Sequence, residues 1–250
     1  MRINQYIAHN STYSRREADR LIEQGRVRVN KALASAGQRV TPKDRITIDS
    51  KPLKPTKHFS VIAYHKPKGE IVSKHDEHNR RIIFDSLPSG FAHFRTIGRL
   101  DFASEGLLLL TDSAKVADAL THSNLTRSYY LKLGGKLTPA LFEAMEQGLH
   151  LDDAHKGAHH KSEIVSMDFA PFVSYKVLGE SKNYARMRVQ ISEGQNRELR
   201  RFFAAFSLDV LDLKRVEFGF VSLSSLQPTK WRFLNKAEYN KLHRFLEGME

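Results

Sequence analysis

Residues 98–112 of this 250-residue chain read GRLDFASEGLLLLTD. A polar, charged loop bounded by Gly98 and Gly106 runs directly into the apolar stretch 107–110, which is typical of a buried strand. This order places Asp101 at the rim of a core, where its carboxylate can be partly desolvated and still face a cleft. Asp101 is therefore our first candidate for a catalytic nucleophile or base.

Two other interpretations of Asp101 stay open. The side chain could cap a turn and pair with Arg99, as isolated aspartates in loops commonly do. Glu105 lies four residues further on, and two neighbouring carboxylates are also typical of a glycosidase. A single tryptophan and a strong excess of positive charge are not what a protein that binds sugar polymers usually shows.

The charge of the chain indicates the kind of partner. Forty Lys and Arg against 28 Asp and Glu give a net charge of +12. Residues 1–57 hold 13 of the basic residues and only 5 of the acidic ones, so a basic unit precedes a more neutral body. This asymmetry favours a partner that carries phosphates, and among such partners it favours a nucleic acid over an acidic lipid surface.

Composition also excludes several classes of protein. The chain has no cysteine, which excludes a thiolate nucleophile, a thiolate zinc site and a disulfide framework, and fits a reducing, cytoplasmic compartment. No apolar run approaches the roughly 18 residues of a membrane span, and the first residues do not resemble a signal peptide. Neither a P-loop nor GxGxxG is present, so we expect a soluble protein without a nucleotide cofactor.

The first 57 residues predict a small domain of two helices and a hairpin. Ile3 and Ile7 recur at helical spacing, and Ser14 with Glu17 forms the pattern of a capping box that starts a second helix. Stretches 26–30 and 45–49 alternate charged and apolar residues as exposed strands do, with Asn30-Lys31 as a turn after the first.

The end of this domain is predicted from composition. Residues 51–57, KPLKPTK, carry two prolines and three lysines, which is typical of a linker. The basic side chains of the domain can converge on one binding surface, although a solvated helix face is the alternative; these are Arg15, Arg16, Arg20, Arg26 and Arg28.

Residues 58–250 predict a second, mixed α+β domain without a regular βαβ repeat, in which helices flank a mainly antiparallel sheet. Strands are expected at 61–64, 107–110, 129–133, 163–168, 173–178, 185–191 and 210–216. Helices are expected at 113–122, 139–147, 196–206 and 236–246.

A second motif is GQNRELRRFF, residues 194–203. Its apolar residues form a buried stripe, which leaves Arg197, Arg200 and Arg201 to point elsewhere from the first turns of a helix. Cations at a helix N-terminus oppose the helix dipole, so the pattern indicates a phosphate or carboxylate nearby, with a basic solvent face as the alternative.

Three further segments are weaker candidates. In RSYYLKL, residues 127–133, Tyr129 can present its ring to a cleft and stack on an unpaired base, or it is a core residue. The basic residues of the other two segments suit phosphate contacts; these are Lys66 and Lys68 in HKPKG, and Lys214 and Arg215 in LKRVEFG.

Four histidines lie in one polar segment with two aspartates, and they are His150, His155, His159 and His160. They lack the spacing that fixes metal ligands, so we expect no metal site there.

Taken together, these segments resemble the RsuA/RluB/RluF group of pseudouridine synthases. GRLDFASEGLLLLTD resembles that family's signature loop, and YSRREADRLIEQGRVRVN resembles the alpha-L RNA-binding domain that precedes its catalytic domain. HKPKG, RSYYLKL, EGQNRELRRFF and LKRVEFG follow in the family's order, so the resemblance covers nearly the whole chain. One departure is Asn30-Lys31, where the family usually has Asn-Gly.

The resemblance implies an enzyme that isomerises uridine to pseudouridine in ribosomal RNA, most closely large-subunit RNA, without any cofactor. Asp101 would be the nucleophile, Tyr129 the ring against the uracil, and Arg200 the cation paired with the aspartate. Arg99, Arg197 and Arg201 would join the RNA contacts named above. We expect a monomer that acts on free RNA or a pre-ribosomal particle and touches no membrane.

Three alternatives remain open at this point. The protein could be a small-subunit RNA pseudouridine synthase, a non-catalytic RNA-binding assembly protein, or an RNA glycosidase that releases uracil.

Overall fold

The capping box of Ser14 and Glu17 starts a helix, as the sequence predicts. The Ser14 hydroxyl accepts a hydrogen bond from the Glu17 amide, and the Glu17 carboxylate accepts one from the Ser14 amide. In the computed structural model, which describes residues 1–41, 43–54, 58–159 and 162–248, this helix is α2 (Arg15–Glu23) and it follows α1 (Ile3–Asn10).

A four-stranded antiparallel sheet completes this first unit. Its strands are β1 (Val27–Val29), β2 (Ala32–Leu33), β3 (Ile46–Ile48) and β4 (Lys51–Pro52), in the order β2-β1-β3-β4. The turn between β1 and β2 has positive φ at both Asn30 and Lys31, 51° and 75°. The two alternating stretches, 26–30 and 45–49, pair with each other through β1 and β3, as predicted.

The linker prediction for residues 51–57 is wrong at its start. Lys51 and Pro52 form β4 because they pair with β3, and the Leu53 amide still donates to the Ile46 carbonyl. Residues 55–57 lie outside the described part of the chain. Buried apolar side chains from α1, α2, β1 and β3 make a separate hydrophobic cluster in this unit.

The remaining elements belong to a larger α+β body. In chain order they are β5 (Val61–Lys66), α3 (Ile83–Ser86), β6 (Arg95–Ile97), β7 (Glu105–Thr111), α4 (Ala114–Thr121), β8 (Arg127–Gly134), α5 (Pro139–Gln147), β9 (Leu149–Leu151), β10 (Met167–Phe169), β11 (Ser174–Glu180), β12 (Tyr184–Ile191), α6 (Glu198–Ala205), β13 (Asp209–Phe218), β14 (Val221–Ser222), β15 (Trp231–Phe233) and α7 (Lys236–Glu247).

One nine-stranded sheet organises this body, with the order β11-β12-β8-β13-β7-β5-β15 and with β6 and β14 paired to β7 and β13. All of these pairs are antiparallel except β13 with β7. The parallel pair needs a glycine at 106, because a Cβ there would lie 2.1 Å from the Arg215 carbonyl oxygen and φ is +113°. The mixed, mainly antiparallel sheet is confirmed.

Apolar side chains cover both faces of the sheet. One cluster joins α5 and α6 to the face that carries Tyr129 and Leu131. The other joins α4 and α7 to the opposite face, over β5 and β7. The apolar run 107–110 is buried from both sides, which is why it is continuous in sequence instead of alternating.

Some element boundaries differ from the sequence-based predictions. The strand expected at 163–168 is limited to β10, because only its last residues pair with β9. The helix expected from residue 196 begins at Glu198, because Arg197 is left-handed with φ of 51°. Short elements such as β6, β9, β15 and α3 carry too few residues to show a period. Among the described residues, every helix is too short or too polar to span a lipid bilayer.

Candidate active site

Asp101 lies in a tight turn between β6 and β7. Its backbone carbonyl accepts a hydrogen bond of 3.0 Å from the Ser104 amide and a second of 3.1 Å from Lys66 Nζ. Lys66 is fully buried at the end of β5 and also donates to the carbonyls of Ser104 and Pro67, at 2.8 and 2.9 Å. One buried ammonium therefore fixes the main chain of the loop that carries Asp101.

The prediction that Lys66 contacts RNA phosphate is wrong, because its ammonium is enclosed and donates to the backbone carbonyls of Pro67, Asp101 and Ser104. Burial lowers the pKa of Lys66 to about 8, with the carboxylates of Glu70, Asp101 and Glu105 acting in the opposite direction.

The Asp101 carboxylate faces two arginines of the α6 region. Its Oδ2 lies 3.3 Å from Arg200 Nε and 3.5 Å from Arg197 Nη1. The Asp101 side chain is 32% exposed, whereas that of Arg200 is only 12% exposed. The acidic loop and the arginine-bearing helix, which are about one hundred residues apart in sequence, are thus brought together.

Arg200 is held in place by contacts on both sides. Its Nη1 donates to the Val210 carbonyl at 3.0 Å and its Nη2 to the Ser104 hydroxyl at 3.1 Å. Burial lowers its pKa, and the nearby Asp101 carboxylate opposes this effect. The guanidinium is therefore positioned before any substrate arrives.

Arg197 is positioned by a close approach of two backbones. Its Nε donates to the Gly157 carbonyl at 2.8 Å. A Cβ at Gly157, where φ is +73°, would lie 2.4 Å from the Arg200 carbonyl oxygen, so this contact needs a glycine.

A cavity of about 120 Å³ opens beside Asp101 and contains Tyr129 in its wall. Five arginines and two carboxylates line it, so its surroundings are strongly positive. A wider cleft of 710 Å³ shares Gly98 to Asp101 with this cavity, which places Asp101 where the two meet. Tyr129 is buried, with 6% exposure, as the alternation of β8 requires.

Arg215 lies in the same cavity, next to Tyr129 on the neighbouring strand. It is 3% exposed, so the prediction that it contacts phosphate at the surface is wrong. Its Nε donates to the Leu107 carbonyl at 2.7 Å, while its Nη2 has no hydrogen-bonding partner among the described residues. Next to the cavity there is thus a buried donor without a partner in the described part of the chain.

Arg201, one residue after Arg200, is also fully buried, which contradicts its predicted RNA contact. Its guanidinium donates to the Ala154 carbonyl, to Asn196 and to the Ser162 hydroxyl. It holds the segment between β9 and β10 against α6 instead of reaching solvent.

Other residues of the cavity were not predicted from the sequence. Ser104 and Arg127 lie within the motifs 98–112 and 127–133, and both are buried. Burial raises the pKa of a third, Glu198, to about 7. In the sequence, each of these residues is marked only as a polar side chain within one of the motifs or within a mainly apolar segment.

Glu105 does not form a carboxylate pair with Asp101. It does not line the cavity, and its Oε1 lies 3.2 Å from Lys214 Nζ. The paired-carboxylate interpretation is therefore wrong, and no Asp101–Arg99 pair occurs among the described residues. Lys68 is exposed and pairs with Asp212 at 2.7 Å.

Some arginines of the predicted basic surface of the first unit already form ion pairs. Arg26 forms a two-pronged ion pair with Asp49, at 2.8 and 2.6 Å, and Arg15 lies 3.3 Å from Asp118 of α4. Arg28 donates to the Lys31 carbonyl, and Arg20 is exposed on α2.

The exposed Arg16 lines a groove of about 660 Å³ between the first unit and the larger body. Arg15, Lys74 and Arg95 share this groove, so it is basic on both sides.

The histidine segment forms local pairs. His150 Nδ1 lies 2.6 Å from Asp168, which raises the histidine's pKa, and His155 pairs with Asp153. His160 lies outside the described residues. In the described part of the chain, no three potential metal ligands cluster.

Family comparisons agree with this arrangement. A family profile described as RNA pseudouridylate synthase matches residues 60–205, and a profile of the S4 domain matches residues 1–46.

Two relatives align over nearly their full length. An RNA pseudouridine synthase of Helicobacter pylori is 51% identical, over 98% of this chain and 95% of the relative. Ribosomal large subunit pseudouridine synthase B of Bacillus subtilis is 31% identical, over 96% and 95%.

A solved structure shows the same fold. A crystal structure of a pseudouridylate synthase superimposes with a TM-score of 0.66 at 25% identity, over 97% of this chain and 99% of that one.

Proposed function

Because this chain belongs to the RNA pseudouridylate synthase family, we propose that it modifies a uridine of large-subunit ribosomal RNA, with Asp101 as the nucleophile. The observation that carries this proposal is the Asp101–Arg200 pair at the junction of the cavity and the cleft. The Bacillus subtilis relative, named a large-subunit enzyme, supports this choice of RNA.

The reaction needs no oxidant, reductant or energy donor. The bond between N1 of the uracil and C1′ of the ribose breaks, the base turns, and C5 bonds to the same carbon. C5 loses a proton in this exchange and N1 gains one, so the atoms balance. Product and substrate are isomers, so side chains alone can supply the chemistry. This agrees with the absence of a nucleotide-binding motif from the sequence.

Asp101 would act as an ionised carboxylate that attacks the sugar or removes a proton from it. Arg200 and Arg197 stabilise this ion by opposite charge at 3.3 and 3.5 Å. Since the Asp101 side chain is still one-third exposed, an incoming nucleoside can reach it.

The uracil would occupy the cavity beside Tyr129. The tyrosine ring supplies a flat apolar wall for the base. Arg215 Nη2, which has no partner among the described residues, would donate to a carbonyl oxygen of the uracil. To reach this site the nucleotide must leave its stack, at a cost of a few kcal/mol, which favours loops and mismatched positions.

Residues 1–57 would act as the RNA-binding unit and residues 58–250 as the catalytic unit. We assign phosphate contacts to the arginines and lysines that remain from the prediction: Arg15, Arg16, Arg20, Arg26, Arg28, Lys68, Arg99 and Lys214. Arg15 and Arg26 would exchange an acidic partner for phosphate. Arg197 would contact the modified nucleotide beside Asp101.

We further propose that the protein acts as a cytoplasmic monomer on free ribosomal RNA or on a pre-ribosomal particle.

The test is to incubate the protein with transcripts of both ribosomal RNAs and to map pseudouridine by carbodiimide-dependent primer stops. We expect a stop in large-subunit RNA that Asp101→Asn abolishes while RNA binding persists. A stop that survives in Asp101→Asn refutes the nucleophile, and one confined to small-subunit RNA changes the substrate. Released uracil would indicate a glycosidase, and RNA binding with neither product would indicate a non-catalytic protein.

A further inference from the structure

The face of the sheet opposite Tyr129 carries a row of polar side chains. Tyr130 on β8 lies directly beside Arg188 on β12 and Lys214 on β13, because these residues are register partners. Helices α4 and α7 cover the β5 and β7 part of this face. Tyr130 remains 43% exposed, which is unusual for a tyrosine in a central strand.

A second cavity, of about 480 Å³, lies over this row. Tyr130, Arg188 and Lys214 line one side of it, and the segment 222–228, with three serines, lines the other. None of these residues lines the Asp101 cavity. Since successive residues of a strand point to opposite faces, the two cavities are on opposite sides of the sheet.

His65 belongs to the wall of this second cavity. It is 2% exposed, and its Nδ1 lies 2.6 Å from the Leu226 carbonyl oxygen. A carbonyl only accepts, so Nδ1 carries the proton and Nε2 of the neutral ring is an acceptor. Nε2 has no partner among the described residues, and a buried acceptor of this kind calls for a donor.

Tyr130 lies between two cations whose ion pairs are partly exposed to solvent. The Arg188 guanidinium lies 6.0 Å from the centre of the tyrosine ring and pairs with Glu217 at 2.8 Å. Lys214 pairs with Glu105 at 3.2 Å. Arg188 and Lys214 keep 40% and 36% of their side chains exposed, and such pairs contribute little stability, so a phosphate can compete for them.

We propose that this cavity binds one unpaired nucleotide of the RNA, away from the uridine that is modified. The base stacks on Tyr130 and the phosphate pairs with Arg188 or Lys214. An N–H group of the base or a ribose hydroxyl donates to His65 Nε2. A flat ring between two cations fits a nucleotide better than a lipid or an apolar peptide, because the cavity wall is rich in hydroxyls and charges.

This inference depends on the proposed function only in taking RNA as the ligand. The two cavities lie on opposite sides of the sheet, so one nucleotide cannot fill both. An RNA that reaches both has to pass around the molecule, which makes the second site a means of selecting long or folded substrates.

The probe for this site is a fluorescein-labelled oligoadenylate of about twelve nucleotides, which offers no uridine to the Asp101 cavity. Stacking of one base predicts that Tyr130→Ala raises its Kd about tenfold, whereas Tyr130→Phe, which keeps the ring, stays within about twofold. Tyr184→Ala is the matched control. Tyr184 lies on the same face, with Lys132 and Arg186 over its ring, but it does not line the cavity. The Kd of Tyr184→Ala for oligoadenylate should therefore equal the wild-type value.

Ultraviolet cross-linking of the same complex, followed by mass spectrometry, locates the bound strand. We expect a cross-link at Tyr130 in the peptide 128–132. Three results would overturn the proposal: cross-links confined to residues 1–57, an unchanged Kd for Tyr130→Ala, or equal losses of oligoadenylate affinity in Tyr130→Ala and Tyr184→Ala.

The two proposals fail separately. Oligoadenylate binding reports on the Tyr130 cavity whether or not the enzyme converts a ribosomal uridine. If Asp101→Asn keeps the primer stop while Tyr130→Ala loses the oligoadenylate, the proposed nucleophile is refuted and the second site stands.

Discussion

Lys66 Nζ lies 3.1 Å from the backbone carbonyl oxygen of Asp101, so a buried ammonium on one strand holds the main chain beneath the proposed nucleophile. The same nitrogen also holds the Ser104 carbonyl, at 2.8 Å. Ser104 in turn accepts from Arg200. The loop, the strand end and the α6 arginine therefore form one connected polar network.

Lys66→Met should weaken both stability and turnover. It removes a donor from three backbone carbonyls, of which that of Ser104 is buried and that of Asp101 keeps the Ser104 amide. We expect a loss of about 3 kcal/mol in the free energy of unfolding and of at least about tenfold in kcat. The Kd for RNA should stay within about twofold, because the ammonium does not reach the surface. Urea unfolding, single-turnover kinetics and filter binding measure the three quantities.

Lys68→Met is the matched control for stability. Lys68 is an exposed lysine two residues away, and its ion pair with Asp212 is solvated, so the expected loss is below about 0.5 kcal/mol. If the two methionine variants are equally stable, Lys66 does not hold the loop.

Arg200→Ala should reduce turnover far more than RNA binding. Its guanidinium contacts the Asp101 carboxylate from inside the protein, and loss of a partly buried charge-assisted hydrogen bond of about 3 kcal/mol corresponds to roughly 100-fold in kcat. Arg200→Lys should be similarly impaired, because an ammonium cannot contact Asp101, Val210 and Ser104 in the same fork geometry. Equal losses in kcat and in RNA affinity would instead assign Arg200 to phosphate binding.

Replacing Arg16 and Arg20 together by alanine should weaken RNA binding and its dependence on salt. In the described part of the chain neither arginine has an ion-pair partner, so each can neutralise one phosphate. The slope of log Kd against log salt should fall by about 1.4 to 1.8 for two lost contacts. Arg26→Ala is the comparison, with a smaller effect because Arg26 is already paired with Asp49. An unchanged slope in the double variant would move the phosphate contacts to the larger body.

Glu198→Gln should stabilise the protein at pH 8. Burial raises the pKa of the folded-state Glu198 to about 7, above its unfolded value near 4.5. Between these values the folded protein holds a proton that the unfolded chain has released, so stability falls as the pH rises. Above pH 7 the free energy of unfolding of wild type is therefore lower than that of the variant by up to about 3 kcal/mol. Near pH 4 the two proteins should be equally stable.

Thermal or urea unfolding at pH 4 and pH 8 measures this difference. Glu193→Gln, at a partly exposed carboxylate, is the control and should change stability by less than about 0.5 kcal/mol at either pH. A Glu198→Gln variant that is no more stable than wild type at pH 8 contradicts the assigned burial cost.

Lys31→Gly should stabilise the hairpin of the first unit. Asn30 and Lys31 both have positive φ, and glycine adopts the second of these conformations without steric cost, so we expect a gain of about 1 kcal/mol. Lys31→Ala retains the Cβ and should give no gain. Urea unfolding monitored by circular dichroism compares the two variants. Equal stability of both would show that the turn carries no strain.

Much of this fold can be predicted from the sequence, because it depends on interactions between residues that are close along the chain. The capping box at Ser14, the apolar run 107–110 and the stops after the long helices depend on neighbours a few residues away, so the sequence alone determines them. The alternation of β8 likewise decides that Tyr129 points inward and Tyr130 outward. The acidic loop and the arginine-bearing helix can each be recognised as a separate motif, because each is defined by neighbouring residues.

Only the tertiary structure decided which cation performs which task. Arg200 and Arg201 are neighbours of the same type, yet one contacts Asp101 and the other is enclosed by the segment after β9. Lys66 is buried and Lys68 exposed, although both stand in one basic turn. A charged side chain takes its role from the groups that pack around it, and those groups come from distant parts of the chain whose positions no local pattern records.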